Sequence, residues 1–157
     1  KVQELWQATR VSGHELLLEI ICPGSPTPVG NQDAFVLRSI KRFYNLGVLP
    51  EWWKLAPMAS QGWDALAELI AERDPLCRGV VILGLNQPVQ ALADSFAHAR
   101  NPIVKGFMVG RSLWAEPSMR WLRRQDTDQQ LIDAVAANFL LLSRAWSMRH
   151  PHATIPT

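Results

Sequence analysis

The chain has 157 residues, 48% of them hydrophobic and 19% charged, which fits one domain able to bury a core and argues against a disordered polymer. Sixteen basic against fourteen acidic residues leave a formal net charge of +2, with no basic run or basic-aromatic stripe, so the electrostatic footprint of a nucleic-acid binder is missing. Apolar runs such as Val80-Val81-Ile82-Leu83 fall short of the roughly 18 residues that span a bilayer. Two cysteines, Cys22 and Cys77, are too few for a disulfide framework or a cysteine-rich zinc site, and no secretory leader opens the chain, so a reducing cytoplasm is expected.

Val2, Leu5 and Trp6 recur at helical spacing, and residues 2–9 read as the end of a helix. The first strand is expected over 15–22, where Leu16 to Cys22 run apolar except for Glu19 and Pro23-Gly24 close the run. After a Pro/Gly-rich loop through Asn31, Phe35, Val36, Ile40, Phe43 and Tyr44 predict a helix over 33–46, ended by Gly47. A second strand is expected over 52–57 and a helix over 62–73, stopped by Asp74-Pro75. The third strand, 79–85, is β-branched and apolar on both faces, as a parallel strand covered by helices requires. A helix from Asn86 to about Arg100 leads to a fourth strand over 103–109. Residues 115–148 read as helix in two pieces broken near Asp126 to Asp128, and 149–157 form an irregular tail. The organisation is thus one unit over 1–148, a helix followed by four βα units, with right-handed crossovers and a parallel sheet.

In parallel α/β folds the chemistry gathers at the carboxyl ends of the strands. That rule singles out Glu19, Lys54, the turn Gly84-Leu85-Asn86 and the turn Gly110-Arg111-Ser112. Lys54 lies between Trp53 and Leu55, where an ammonium is costly unless paired or functional. Burial there would lower its pKa from the reference of about 10.4 and make it a nucleophile for a carbonyl; the plainer alternative is a lysine reaching out from an edge strand to water. Glu19 is either its proton-transfer partner or half of a structural ion pair. Glycine amides at Gly84 and Gly110 together with the Arg111 guanidinium suit a phosphate.

Other candidates carry less. His14 precedes the first strand, on the opposite side from the expected site; His98 lies on a helix, and His150 and His152 in the tail, with no spacing that makes a metal site. Lys105 is expected to pack or form an ion pair. Trp52, Trp53, Trp63 and Trp114 read as core or site-wall aromatics, and nothing in the sequence marks Cys22 as activated.

Together, Leu16-Leu17-Leu18-Glu19-Ile20-Ile21, Trp52-Trp53-Lys54-Leu55, Val81-Ile82-Leu83-Gly84 and Lys105-Gly106-Phe107-Met108-Val109-Gly110-Arg111 resemble the class I aldolase-like domain fused behind a sugar kinase in myo-inositol catabolism proteins, distantly similar to tagatose-bisphosphate aldolases. The resemblance implies the second half of a TIM (β/α)8 barrel, the four strands being strands five to eight. It implies cleavage of 6-phospho-5-dehydro-2-deoxygluconate to dihydroxyacetone phosphate and malonate semialdehyde through a Schiff base, without metal or cofactor. Lys54 would form the imine, Glu19 would assist proton transfer, and Gly84, Gly110 and Arg111 would hold phosphate. The related aldolases also use a lysine from an earlier strand, a region this sequence does not contain. The partners implied are the phosphorylated sugar acid, the N-terminal half-barrel and a kinase domain of the same parent chain, or another copy covering the open sheet edges. A non-catalytic phosphosugar-binding or regulatory domain attached to the kinase is the alternative function. A complete small doubly wound domain is the alternative fold, and it requires paired sheet edges and a closed core.

Overall fold

The structure, a computed structural model, describes residues 1–22 and 29–149. Its elements are α1 (Val2–Ser12), β1 (Leu17–Ile20), α2 (Val29–Asn45), β2 (Trp52–Leu55), α3 (Ser60–Arg73), β3 (Gly79–Leu83), α4 (Val89–Ser95), a 3-10 turn (Phe96–His98), β4 (Val104–Met108), α5 (Arg111–Leu122) and α6 (Asp128–Met148). The four strands form one parallel sheet in the order β1-β2-β3-β4. The expected α/β class and four-stranded parallel sheet hold. Each strand is shorter than its apolar run because Glu15 and Leu16, Ile21 and Cys22, Ala56 and Pro57, and Gly84 and Leu85 lie beyond the ladder. Three helices start earlier than their apolar spacing suggests, α2 at Val29 rather than Asp33, α3 at Ser60 rather than Gly62 and α5 at Arg111 rather than Ala115. His150, His152 and the rest of the tail beyond Arg149, and the Pro23-Gly24 loop, lie outside the described residues.

Successive strand residues point to opposite faces, so the adjacent Trp52 and Trp53 have different fates. Trp53, with Ile20, Leu55, Val80, Ile82 and Val104, joins one buried cluster with Val36 and Ile40 of α2, Leu66 and Ile70 of α3, Leu92 of α4 and Leu142 of α6. Trp53 is fully buried; its indole N–H donates to the Tyr44 hydroxyl at 3.1 Å, and the two rings meet edge to face. Phe96, Phe107 and Trp146 form a second aromatic contact set between β4 and α6. Leu17, Glu19, Trp52, Lys54, Val81 and Gly106 take the opposite face, and none of them belongs to that cluster. Among the described residues the sheet therefore has helices on one face only and two unpaired edges, β1 and β4. A doubly wound domain covers both faces, so that alternative is not the architecture observed.

Gly79 lets β4 approach β3. Its φ is +141°, and a Cβ there would lie 2.8 Å from the Ile103 carbonyl oxygen and 2.6 Å from Lys105 Cγ. The close approach accompanies a register shift, Val80 facing Val104 but Val81 facing Gly106. Lys105 is exposed, and its stem lies over Gly79. Of the two roles expected for it, packing is the one observed; among the described residues it makes no ion pair.

At the amino ends of the strands, Glu51 holds α1 to the sheet. One carboxylate oxygen accepts the Leu16 N–H at 2.8 Å and the other takes Arg10 at 2.7 Å. Burial pushes the Glu51 carboxyl up, but these donors outweigh it and leave the group below its ordinary range. Trp6 adds an indole hydrogen bond to the Leu49 carbonyl.

α5 contains Pro117 in its interior, which cannot donate to the Leu113 carbonyl one turn earlier. Asn138 of α6 supplies that donor, its side-chain amide bonding Leu113 O at 2.7 Å. Thr127 and Gln130 form a capping box that starts α6, which explains the expected break between the two C-terminal helices. With 21 residues and an 18-residue window of mean hydropathy 1.2, α6 is long and apolar enough by composition to cross a membrane, although its apolar residues form no long unbroken run. Here it packs on α4 and α5 with Leu142 in the core and Asp133 and Arg144 exposed.

Candidate functional site

The strand register sets Glu19 beside Lys54 and Lys54 beside Val81, in one row across the helix-free face. Lys54 Nζ lies 3.5 Å from Glu19 Oε2. The Lys54 side chain is 20% exposed and that of Glu19 37%, so the ammonium is not stranded in the helix-packed core as its apolar neighbours suggest. Those neighbours, Trp53 and Leu55, point the other way.

Above this pair, at the carboxyl ends of the strands, lies a cavity of about 100 Å³. Glu19 and Lys54 line it from below, Gly84 and Asn86 from the β3–α4 turn, and Gly110, Arg111 and Ser112 from the start of α5. Ile21, Leu83 and Met108 supply apolar wall. The five residues singled out for chemistry, Glu19, Lys54, Gly84, Gly110 and Arg111, thus converge on one hollow although 92 positions separate the first from the last.

The two turns are packed against each other. Ser112 Oγ donates to the Gly84 carbonyl at 3.4 Å, and a Cβ on Gly84 would lie 2.6 Å from that oxygen. Gly110 is the N-cap of α5, no side chain bonds the first-turn amides, and Arg111 is the first helical residue. Free first-turn N–H groups beside a guanidinium form an electropositive wall suited to an anion's oxygens. Leu85 and Asn86 both adopt positive φ, 48° and 61°, and the Gln87 N–H donates to the Gly84 carbonyl, which makes residues 84–87 a tight turn of the I′ kind. A leucine in that conformation costs about 1–2 kcal/mol, and such strain concentrates at functional sites.

Sequence reasoning missed Asp33. This buried carboxylate, one turn into α2, accepts the N–H of Ala59, the residue before α3, at 3.2 Å and so ties the segment that follows β2 to α2. A Cβ on Gly62 would sit 2.5 Å from Asp33 Oδ2, so the contact needs glycine there. Desolvation pushes the Asp33 carboxyl up, opposed by the Ala59 N–H, and its other oxygen is buried without a partner. An aspartate beside a helix start looks like that helix's own cap, and no sequence signal ties it to α3.

The remaining candidates fall elsewhere. His14 is exposed and meets Ser12 Oγ; His98 stands in the 3-10 turn, 3.4 Å from Ser60 Oγ. Trp52 bonds Glu15 at 2.7 Å, Trp63 is core, and Trp114 stands exposed beside Gly110. Cys22 is half-buried just beyond β1. Among the described residues no group of three His, Cys, Asp or Glu side chains could hold a metal ion. A larger hollow of about 750 Å³ lies between α4 and α6, on the outer helical layer, with an alanine and leucine floor and no nucleophile-base pair.

No curated protein matches the chain. The family model described as "Uncharacterized protein conserved in bacteria (DUF2090)" matches residues 1–150, and the chain belongs to that family.

Proposed function

We propose that the chain is half of a (β/α)8 barrel and that its Lys54 forms the Schiff base of a class I phosphosugar aldolase. The substrate is 6-phospho-5-dehydro-2-deoxygluconate, cleaved to dihydroxyacetone phosphate and malonate semialdehyde. The observation that carries the reading is the convergence of the Lys54–Glu19 pair and the Gly84, Gly110 and Arg111 turns on one hollow at the strands' carboxyl ends. A one-sided parallel sheet in sequential order is also how four strands of such a barrel are arranged.

The Arg111 guanidinium and the open amides of α5 bind the phosphate, which holds the ketone over Lys54. Glu19 takes a proton from the Lys54 ammonium, and the free amine attacks the carbonyl carbon. Glu19 returns the proton to the carbinolamine oxygen, which leaves as water and forms the protonated imine. The electrons of the adjacent carbon–carbon bond then flow into that C=N. The proton of the β-hydroxyl passes to Glu19, and the aldehyde departs. Glu19 protonates the enamine carbon, and water hydrolyses the imine to release dihydroxyacetone phosphate and regenerate Lys54. The imine is the electron sink, so a lysine and a carboxylate supply the chemistry. In this reading the protein works in the cytoplasm as part of a parent chain with a sugar kinase.

Assaying dihydroxyacetone phosphate release by the parent protein tests this. Lys54→Ala abolishes release, and Arg111→Ala raises KM more than it lowers kcat; Lys54→Ala turnover equal to the parent's overturns the proposal. One observation favours a regulatory phosphosugar-binding domain instead: the hollow, at about 100 Å³, is smaller than the roughly 300–1,000 Å³ of typical ligand pockets. Phosphate-dependent stabilisation that requires Arg111, in a protein that releases no product, would select that second reading.

A further inference from the structure

We propose that Leu85 is a specificity residue of this site, set into the hollow by a left-handed backbone so that open-chain phosphate esters enter and cyclic sugar phosphates do not. The inference rests on the phosphosugar reading of the hollow and names the form of substrate that the hollow accepts.

The conformation of Leu85 singles it out. β3 ends at Leu83, and residues 84–87 turn sharply, held by two donors to the Gly84 carbonyl, the Gln87 N–H and the Ser112 hydroxyl. Such a turn needs positive φ at both central positions, which asparagine or glycine adopts at little cost. Asn86 satisfies that rule and Leu85 breaks it. Of the three non-glycine residues with positive φ among those described, Leu85 is the one with an apolar side chain. Core packing does not repay the strain, because Leu85 is 36% exposed and lies outside the buried cluster. What it does border is the hollow. Strain kept at the wall of a cavity, with no packing in return, points to recognition.

The hollow is layered. Strand register puts Glu19, Lys54, Val81 and Gly106 in one row of the open face. Two residues further along, the same face carries Ile21, Leu83 and Met108, the last two paired in register. All three line the hollow, and Ile21 and Met108 are exposed. Beyond them stand Gly110 and Arg111 at the start of α5. An apolar belt thus separates the amine and carboxylate of the floor from the cationic rim, and Leu85, two residues past Leu83, adds to that belt. A phosphate on Arg111 and a carbonyl over Lys54 are joined through it. The joining arm must be slender, because the hollow holds about 100 Å³, and poor in polar groups, because the belt's side chains offer no donor or acceptor. An open chain meets both conditions, whereas a pyranose ring sets several hydroxyls against the belt and collides with Leu85. The chemistry makes the same demand, since a cyclic hemiketal has no C=O for Lys54 to attack.

Equilibrium binding to the parent protein tests this with three probes: inorganic phosphate, glycerol 3-phosphate as the open chain and glucose 6-phosphate as the ring. Glycerol 3-phosphate has no carbonyl, so its binding does not depend on imine formation. Binding that Arg111→Ala abolishes is assigned to the hollow. The unsubstituted protein is expected to hold glycerol 3-phosphate about tenfold or more tighter than glucose 6-phosphate, a discrimination within reach of apolar contacts. Leu85→Ala and Leu85→Gly raise the affinity for glucose 6-phosphate at least about fivefold and leave that for inorganic phosphate unchanged. The glycine variant also unfolds at a higher temperature than the alanine variant, since both lose the side chain and glycine alone sheds the left-handed strain. Equal binding of the two esters by the unsubstituted protein, a glucose 6-phosphate affinity that neither variant changes, or a glycine variant no more stable than the alanine one overturns the proposal. Phosphate that does not bind refutes the hollow as an anion site and the proposal with it; phosphate that binds while the ester ratio stays fixed in both variants refutes Leu85 alone. Borohydride trapping on Lys54 reads the aldolase separately, and a missing adduct with a narrowed ratio leaves Leu85 as the filter of a binding domain.

Discussion

Asn138→Ala removes the donor that replaces the one Pro117 lacks, and its cost follows from the geometry. The Leu113 carbonyl, bonded at 2.7 Å in a half-buried position, loses its partner. An orphaned buried acceptor costs about 1–3 kcal/mol. Here the lower half applies, because Asn138 borders a hollow of about 580 Å³ through which water reaches the site. For a chain of this size about 1–2 kcal/mol corresponds to roughly 2–8 °C in Tm. A double-mutant cycle isolates the effect from the loss of amide packing. Pro117→Ala restores a main-chain N–H to Leu113, so in that background Asn138→Ala costs at least about 1 kcal/mol less. Urea denaturation of the four proteins reads the coupling. Equal costs of Asn138→Ala in the two backgrounds would refute the claim that Asn138 completes the ladder of α5. Because α5 begins at Arg111, the same cycle run with inorganic phosphate as ligand measures how far that ladder supports the anion wall.

Other perturbations test the site and its supports. Gly84→Ala forces a methyl against Ser112 Oγ, costs about 1–3 kcal/mol of stability and weakens phosphate binding, whereas adding Ser112→Ala recovers most of the stability; unfolding curves with and without phosphate check both parts. Asp33 has a folded-state pKa above its unfolded value of 3.8, so the folded state binds more protons in that window and stability falls as pH rises through it. Asp33→Asn, whose carbonyl still accepts the Ala59 N–H, removes that decline and is more stable than the parent at neutral pH; an unchanged pH-stability slope argues against it. Burial pushes the Cys77 thiol up to about 11, so Cys77 is alkylated far more slowly in the folded chain than in urea at pH 8, as peptide mass mapping would register. Alkylation at equal rates in both states contradicts that burial.

Much of the fold was legible because β-branched apolar runs and helix-spaced residues alternate along the chain. Gly79 to Leu85 reads as a strand without tertiary knowledge, and the break expected near Asp126 to Asp128 falls where α6 begins. What the sequence hides depends on neighbours. Trp52, Trp53 and Lys54 look like one apolar stretch, yet alternation sends Trp53 to the core and Lys54 to the open face beside Glu19. The start of α5 at Arg111 was obscured because Gly110 and Arg111 read as a turn, although together they form the cap and first residue of a helix. The Val80/Val81 register shift follows from the contact of Gly79 with Ile103 and Lys105, which has no local signature. Asp33 escaped notice for the same reason: its partner lies just before another helix. The five residues expected to act together do share one hollow, since the rule that chemistry gathers at strand carboxyl ends needs only strand positions and direction.

The most direct test of the central claim is to reduce the parent protein with borohydride in the presence of dihydroxyacetone phosphate and map the modified peptide by mass spectrometry. The account predicts a stable adduct on Lys54 that disappears in Lys54→Arg and weakens in Arg111→Ala, with Lys105 unmodified. An adduct on another lysine, or none at all under conditions where the protein binds the phosphosugar, would contradict it.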